Sequence, residues 1–433
     1  MYDIGIINGK VYIDGKYNKV NIYIEDETIS LISKDLLEAK TIYDCKNDLV
    51  IPGIIDPHTH FELDLKTTSS KDDFYTGSIS AIYGGVTTII DFIDPVDNAL
   101  DLEANLNKRI NQAKKSLVDF KFHACLKNPK GNIEEIVKKM KDLNLSTVKI
   151  FTTYSDSLRR TYDKEIKELL TYSKTNNFLV TAHIEDDEQI KIPNTFVPSD
   201  INVSRPSSSE TDEAIKIAKM VQETNGNLYM VHLSSGNTIK KLVNDFPKII
   251  NKNFKIESCP HYFLFNNSKY KKQNNYLYLM APPLRSKKEQ NTLKKHIDYI
   301  DTIGTDHCPF NSDEKNQKLL KDIPFGIGGV EHSFDVMYSI FKEAIIDKMT
   351  LNVARTHNLY PKKGIIKEGS DADIFIYKLK KKKITEDHSQ ANYTVYQNTN
   401  VLGEVITTLV RGKFVLKDKV LFNNVGKYIN EVK

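Results

Sequence analysis

Residues 52–62 read PGIIDPHTHFE: an apolar approach through Ile54 and Ile55, then Asp56, His58 and His60 with Pro57 and Thr59 interleaved. Only eleven histidines occur in the 433 residues, and two of them stand two apart at the end of this run. In a β-strand, residues i and i+2 point to the same face, so both imidazoles would be aimed at one centre from a stiff element. The stretch therefore reads as a buried strand whose last residues carry chemistry.

Working outward, seven further short apolar runs follow: VTTIIDFI (86–93), VDFKFHACL (118–126), STVKIFTTY (146–154), NFLVTAHIE (177–185), NLYMVHLSS (227–235), FKIESCPHY (254–262) and DTIGTDHCP (301–309). Between them lie segments with apolar residues at three- and four-residue spacing, such as IEEIVKKMKDL (133–143), YDKEIKELLTYSKT (162–175) and TDEAIKIAKMVQE (211–223). Eight β-α alternations predict an α/β fold of the (β/α)8, TIM-like barrel type, with a doubly wound sheet as the alternative. The two ends of the chain have another texture. DIGIINGKVYI (3–13), VNIYIEDETISLIS (20–33), DADIFIYKL (371–379) and VITTLVRGKFVLKDKVLF (405–422) read as short strands with turn residues between them. They predict a smaller β-sandwich domain built from both termini, 1–51 and 365–433, around a barrel domain at 52–364.

Bulk properties exclude several function classes. A net charge of +4 is small for this length and indicates neither nucleic acid nor membrane as partner. The lysines 380–383, placed by this reading in a turn, have no second basic cluster to support them. No run approaches ~18 apolar residues, and the N-terminus lacks the pattern of a signal peptide. Cys45, Cys125, Cys259 and Cys308 form no CxxC pair, so a cytoplasmic protein without disulfides is expected.

Catalytic groups of a barrel gather where the strands end. The ends of the runs carry His58 and His60, Lys149, His183, His232 and Asp306. Each alone has a plain structural reading: a hydrogen-bonded histidine, a lysine reaching to solvent, an aspartate capping a loop. Together at one rim they suit a zinc-like ion, and an aspartate beside a metal can take a proton from bound water. His123, His261, His307 and Cys308 are assigned to packing or to supporting roles, and His296, His332, His357 and His388 to segments without a partner motif.

These motifs, with DDFYTGSISAIYGGVTTIIDF (72–92), TAHIEDDE (181–188), RPSSSETDEAIKIA (205–218), APPLR (281–285), GTDHCPF (304–310), GIGGVEHSF (326–334) and KKGIIKEGSDADI (362–374), resemble the amidohydrolase superfamily over nearly the whole chain. Within it they are most similar to the dihydropyrimidinase/hydantoinase branch of cyclic amidases. The resemblance implies two divalent metal ions, usually Zn2+. His58, His60 and Asp306 would hold one ion, and His183 and His232 the other. Lys149 would bridge them as a carbamate formed with carbon dioxide, an N6-carboxylysine. It further implies hydrolysis of the ring amide of dihydropyrimidines or hydantoins to N-carbamoyl amino acids, with Asp306 as proton carrier and Tyr154 stabilising the oxyanion. Tyr154, Ser258 and Gly326 would contact the small cyclic amide substrate, and a homotetramer is implied as well. Phe325 departs from the small or amide residue common at its position, which bears on the pocket. Allantoinase is the neighbouring alternative. A dihydroorotase is disfavoured by Phe61-Glu62 where an Arg would follow the two histidines, and a non-catalytic scaffold by the retention of every ligand position.

Overall fold

A computed structural model describes residues 1–65, 67–129 and 132–430. Each of the eight apolar runs contains one strand of a single parallel sheet: β1 (Ile54–Asp56), β2 (Val86–Phe92), β3 (Asp119–Cys125), β4 (Thr147–Phe151), β5 (Leu179–His183), β6 (Leu228–Met230), β7 (Phe254–Ser258) and β8 (Thr302–Ile303). Neighbours in sequence are neighbours in the sheet. The sheet closes on itself just past its ends, where Thr59 and His307 form a parallel bridge and the His60 N–H donates to the His307 carbonyl at 2.9 Å. This is the (β/α)8 barrel that the sequence predicts.

The predicted amphipathic segments form helices Ile133–Asp142, Asp163–Asn176 and Ser207–Thr224. In the first, Ile133, Ile136, Val137 and Met140 are buried while the glutamates and lysines between them face out. Its cap, Asn132, accepts from the Glu134 N–H at 3.0 Å and satisfies one of the donors a helix start leaves open. The barrel and its helices share one continuous apolar core, so the rim is carried on a packed scaffold.

Both ends of the chain meet in a seven-stranded sheet. Three strands come from the N-terminal side (Lys10–Ile13, Lys16–Lys19, Leu49–Pro52) and four from the C-terminal side, beginning with Ile374–Lys383. A four-stranded sheet from residues 2–44 faces it, and Ile6, Val11, Ile22, Ile24, Val50, Ile374 and Leu409 fill the space between them. The last three positions of the 365–433 segment lie outside the described residues. One expectation is corrected: Lys380–Lys383 lie in a strand, not a turn, and Glu404 pairs with Lys380 at 2.5 Å and Lys382 at 3.7 Å. No helix among the described residues is long and apolar enough to cross a membrane, and all four cysteines are buried and free.

Candidate active site

The rim residues converge. His58 and His60 lie on the extended segment that continues β1, and their Nε2 atoms stand 3.3 and 3.0 Å from the same Asp306 oxygen. Thr59, between them, turns to the opposite side and donates to Asp91 at 2.9 Å, so alternation delivers both imidazoles inward. Asp306 follows β8 with φ +52°, a left-handed conformation that turns its carboxylate back over the barrel mouth. One ligand atom from each of His58, His60 and Asp306 falls within 4.8 Å of the other two.

His183, at the end of β5, and His232, just past β6, form the second group. His183 Nδ1 lies 3.0 Å from His232 Nε2. The His58 and His232 rings stand 5.4 Å apart, which joins the two groups into one layer. Lys149 on β4 is buried and lines the same cavity as they do, its Nζ 5.2 Å from the Phe92 ring and 5.4 Å from the Phe151 ring. Among the described residues no carboxylate lies within 4 Å of it, and burial lowers its pKa. Burial likewise pulls His58, His183 and His232 down, toward the neutral imidazoles that ligate metals. Burial would raise the Asp306 carboxyl, but His58, His60 and Lys149 hold it well below the usual range.

These donors fit a metal. His58 Nε2 and His232 Nδ1 are buried without a hydrogen-bond partner, and two imidazole nitrogens face each other across 3.0 Å. Orphaned buried polar atoms are rare and call for a ligand or water. Imidazoles and one carboxylate form a donor set suited to zinc-like ions.

Supporting residues appear that the sequence reading passed over. Glu257 on β7 takes His58 Nδ1 at 2.8 Å, and is itself bonded by the Tyr229 hydroxyl at 2.7 Å and the His232 N–H at 3.0 Å. Glu185 takes His183 Nε2 at 2.8 Å and pairs with Arg205, whose guanidinium lies 4.9 Å from the centre of the Tyr154 ring. Both carboxylates fix which imidazole nitrogen faces the centre. Their signal was alternation: Glu185 stands two after His183, and Glu257 two after Lys255 on an inward face. His123 bonds Thr147 and the Pro57 carbonyl, and His307 bonds Asp72 while accepting from the Gly329 N–H, as supporting residues would. His332 and His388 do have partners, in Asp387 (3.0 Å) and Glu331 (3.0 Å).

A cavity of about 180 Å³ opens over the layer, lined by Tyr154, Phe325 and Gly326 among others. Ser258 is not brought to its wall: it is fully buried and donates to the Leu233 carbonyl at 2.7 Å. The Gly326 N–H is occupied by the Leu279 carbonyl at 3.0 Å, and its carbonyl accepts from Lys315 with one lone pair remaining. With φ +150° and the Cys308 carbonyl 2.4 Å from where a Cβ would sit, only glycine fits at 326. Glu62 lies off the cavity wall and pairs with Lys115 at 3.0 Å, so its charge does not face a substrate.

Comparison with known proteins places this geometry. The chain is 29% identical over 452 residues to a D-phenylhydantoinase of Escherichia coli O81 (strain ED1a), covering 98% of this chain and 96% of the relative. It superposes on a D-hydantoinase from Bacillus sp. AR9 with a TM-score of 0.93 at 26% identity, covering 100% of this chain and 99% of the other. With a dihydropyrimidinase from Brevibacillus agri NCHU1002 the TM-score is 0.91 at 25% identity, with the same coverage. Residues 49–415 match the Amidohydrolase family, and the chain belongs to it.

Proposed function

We propose that the protein is a cyclic amidase that opens the ring amide of dihydropyrimidines or hydantoins, with a site of two divalent ions, most simply Zn2+. The observation that carries this reading is the pairing of two donor groups, His58/His60/Asp306 and His183/His232, in one layer that lines the same cavity as the buried Lys149. His58, His60 and Asp306 would hold one ion, and His183 and His232 the other. Lys149, as the carbamate, would bridge them, which supplies the anion its buried position lacks. Bound there, the ions would polarise the ring carbonyl and lower the pKa of a shared water.

The chain's own groups do the rest. Asp306 keeps 15% exposure toward the cavity, and its carboxylate takes the proton of the attacking water and passes it to the departing ring nitrogen. Tyr154 lines the same cavity, its ring 5.1 Å from that of His183, and its hydroxyl donates to the oxyanion developing on the ring carbonyl. Phe325 and Phe92 close the walls against water. We divide the chain into a barrel domain at 52–364 and a sandwich domain from 1–51 and 365–433, supported by the change of sheet between Pro52 and Ile54. A cytoplasmic homotetramer completes the proposal, by likeness to the family. Incubation with 5,6-dihydrouracil and with hydantoin tests it: N-carbamoyl-β-alanine or N-carbamoylglycine should form only with metal present, and the absence of both at full metal content would overturn the reading.

A further inference from the structure

The cavity wall carries two arginines with different surroundings, Arg109 and Arg159. Arg109 is fully engaged, bonding Asp91 at 2.8 Å, the Phe61 carbonyl at 2.7 Å and the Phe92 carbonyl at 3.0 Å. Of the four carboxylates on the wall, Asp64, Asp91, Asp94 and Asp306, Asp91 is matched by Arg109 and Asp94 by Lys108 at 2.5 Å. Arg159 differs: among the described residues no carboxylate lies within 4 Å of its guanidinium, and no acceptor bonds its side chain. Its neighbour Arg160 shows that partners were within reach of this loop, pairing with Asp187 at 3.2 Å and Glu188 at 3.1 Å.

The loop explains the opposite fates. Phe151 and Arg160 form a bridge, the Thr161 N–H donates to the Phe151 carbonyl at 2.7 Å, and the Arg159 N–H to the Tyr154 carbonyl at 3.0 Å. Asp187 pins the turn from outside, accepting from Thr153 Oγ1 at 3.0 Å and the Ser155 N–H at 3.2 Å. That register sends residue 160 to Asp187 and leaves 159 on the cavity wall. The Arg159 charge also reaches the site: burial raises the Tyr154 phenol and the Cys125 thiol, and Arg159 is among the cations opposing both rises.

We propose that Arg159 is a specificity-determining residue that takes a carboxylate carried on the substrate's ring substituent. The favoured substrates are then cyclic amides with an acidic side chain, and the products are N-carbamoyl diacids. Water adds across the ring C–N bond and the substituent is unchanged. This rests on the cyclic-amidase reading. A guanidinium matches a carboxylate with two parallel N–H bonds, which an uncharged isostere does not reproduce.

The test compares hydantoin-5-acetate with its neutral amide, hydantoin-5-acetamide, in the wild type, Arg159→Gln and Arg159→Lys, with unsubstituted hydantoin alongside. The wild type should favour the acetate in kcat/KM by about tenfold or more, as expected of a hydrogen bond to a charged group. Arg159→Gln should lose that ratio through KM, and Arg159→Lys should keep part of it. In the wild type alone, added sodium chloride should raise KM for the acetate and not for the amide. Equal kcat/KM for the two, or a ratio that survives Arg159→Gln, overturns the inference while hydantoin turnover upholds the amidase reading. If the wild type opens none of the three rings and leaves 5,6-dihydrouracil intact as well, both fall.

Discussion

Glu257 Oε1 lies 2.8 Å from His58 Nδ1, and the same oxygen receives the His232 N–H at 3.0 Å. One carboxylate thus orients a member of each donor group, setting the His58 tautomer from one side and the His232 backbone from the other. Glu257→Gln keeps the shape but can present an N–H where an acceptor is needed. We expect a loss of about 10–100-fold in metal affinity or kcat, the usual effect of removing such a partner. Metal titration of the apoprotein checks it, and an unchanged affinity together with an unchanged rate would reduce Glu257 to packing.

The His183–His232 pair makes a prediction about stoichiometry. His232→Ala removes one of two facing nitrogens and should lower bound metal by one equivalent per chain, measured by elemental analysis. Retention of the full metal content would separate this pair from metal binding.

Lys149→Ala should lower turnover by more than about a hundredfold, beyond the usual effect of a supporting residue. Added short carboxylic acids should restore part of the rate by standing in for the carbamate. Full activity without such an acid would remove Lys149 from the site.

His332 and Asp387 supply a stability prediction away from the chemistry. Burial raises the Asp387 carboxyl, but the His332 hydrogen bond and charge hold it down to about 2, and the same contact raises His332. The depressed carboxyl contributes stability above its unfolded value near 3.8, lost as pH falls through about 2. The raised imidazole contributes stability below 6.5, lost as pH rises through its folded value. The pair is therefore worth most between about pH 4 and 6.5, at about 2 kcal/mol. Asp387→Asn should lower Tm by about 2–4 °C there, with the deficit shrinking at either extreme. A pH-independent deficit would contradict this assignment.

The barrel was legible because each strand is a short apolar run bounded by polar residues, and the site because five ligand-type residues and one lysine end those runs. Periodicity shows which side chains share a face, so His58 with His60 could be paired from spacing alone. It does not show what meets that face from another strand, and so Glu257 and Arg205 went unread although both lie within recognised motifs. Lys380–Lys383 misled for a related reason: four charged residues in a row look like a turn, yet an exposed strand end with Glu404 opposite carries them without cost. Ser258 shows the limit of motif transfer, since a matching position in sequence left its hydroxyl inside the fold. Glu62 comes soon after the two histidines in sequence, but φ +54° turns the chain there and delivers it to Lys115.

The most direct test of the account is side-by-side ring opening of 5,6-dihydrouracil, hydantoin, allantoin and dihydroorotate by zinc-loaded and metal-stripped protein. The account predicts turnover of the first two by the loaded protein, abolished by stripping and restored by added metal. Preference for allantoin, or turnover indifferent to metal, would contradict it.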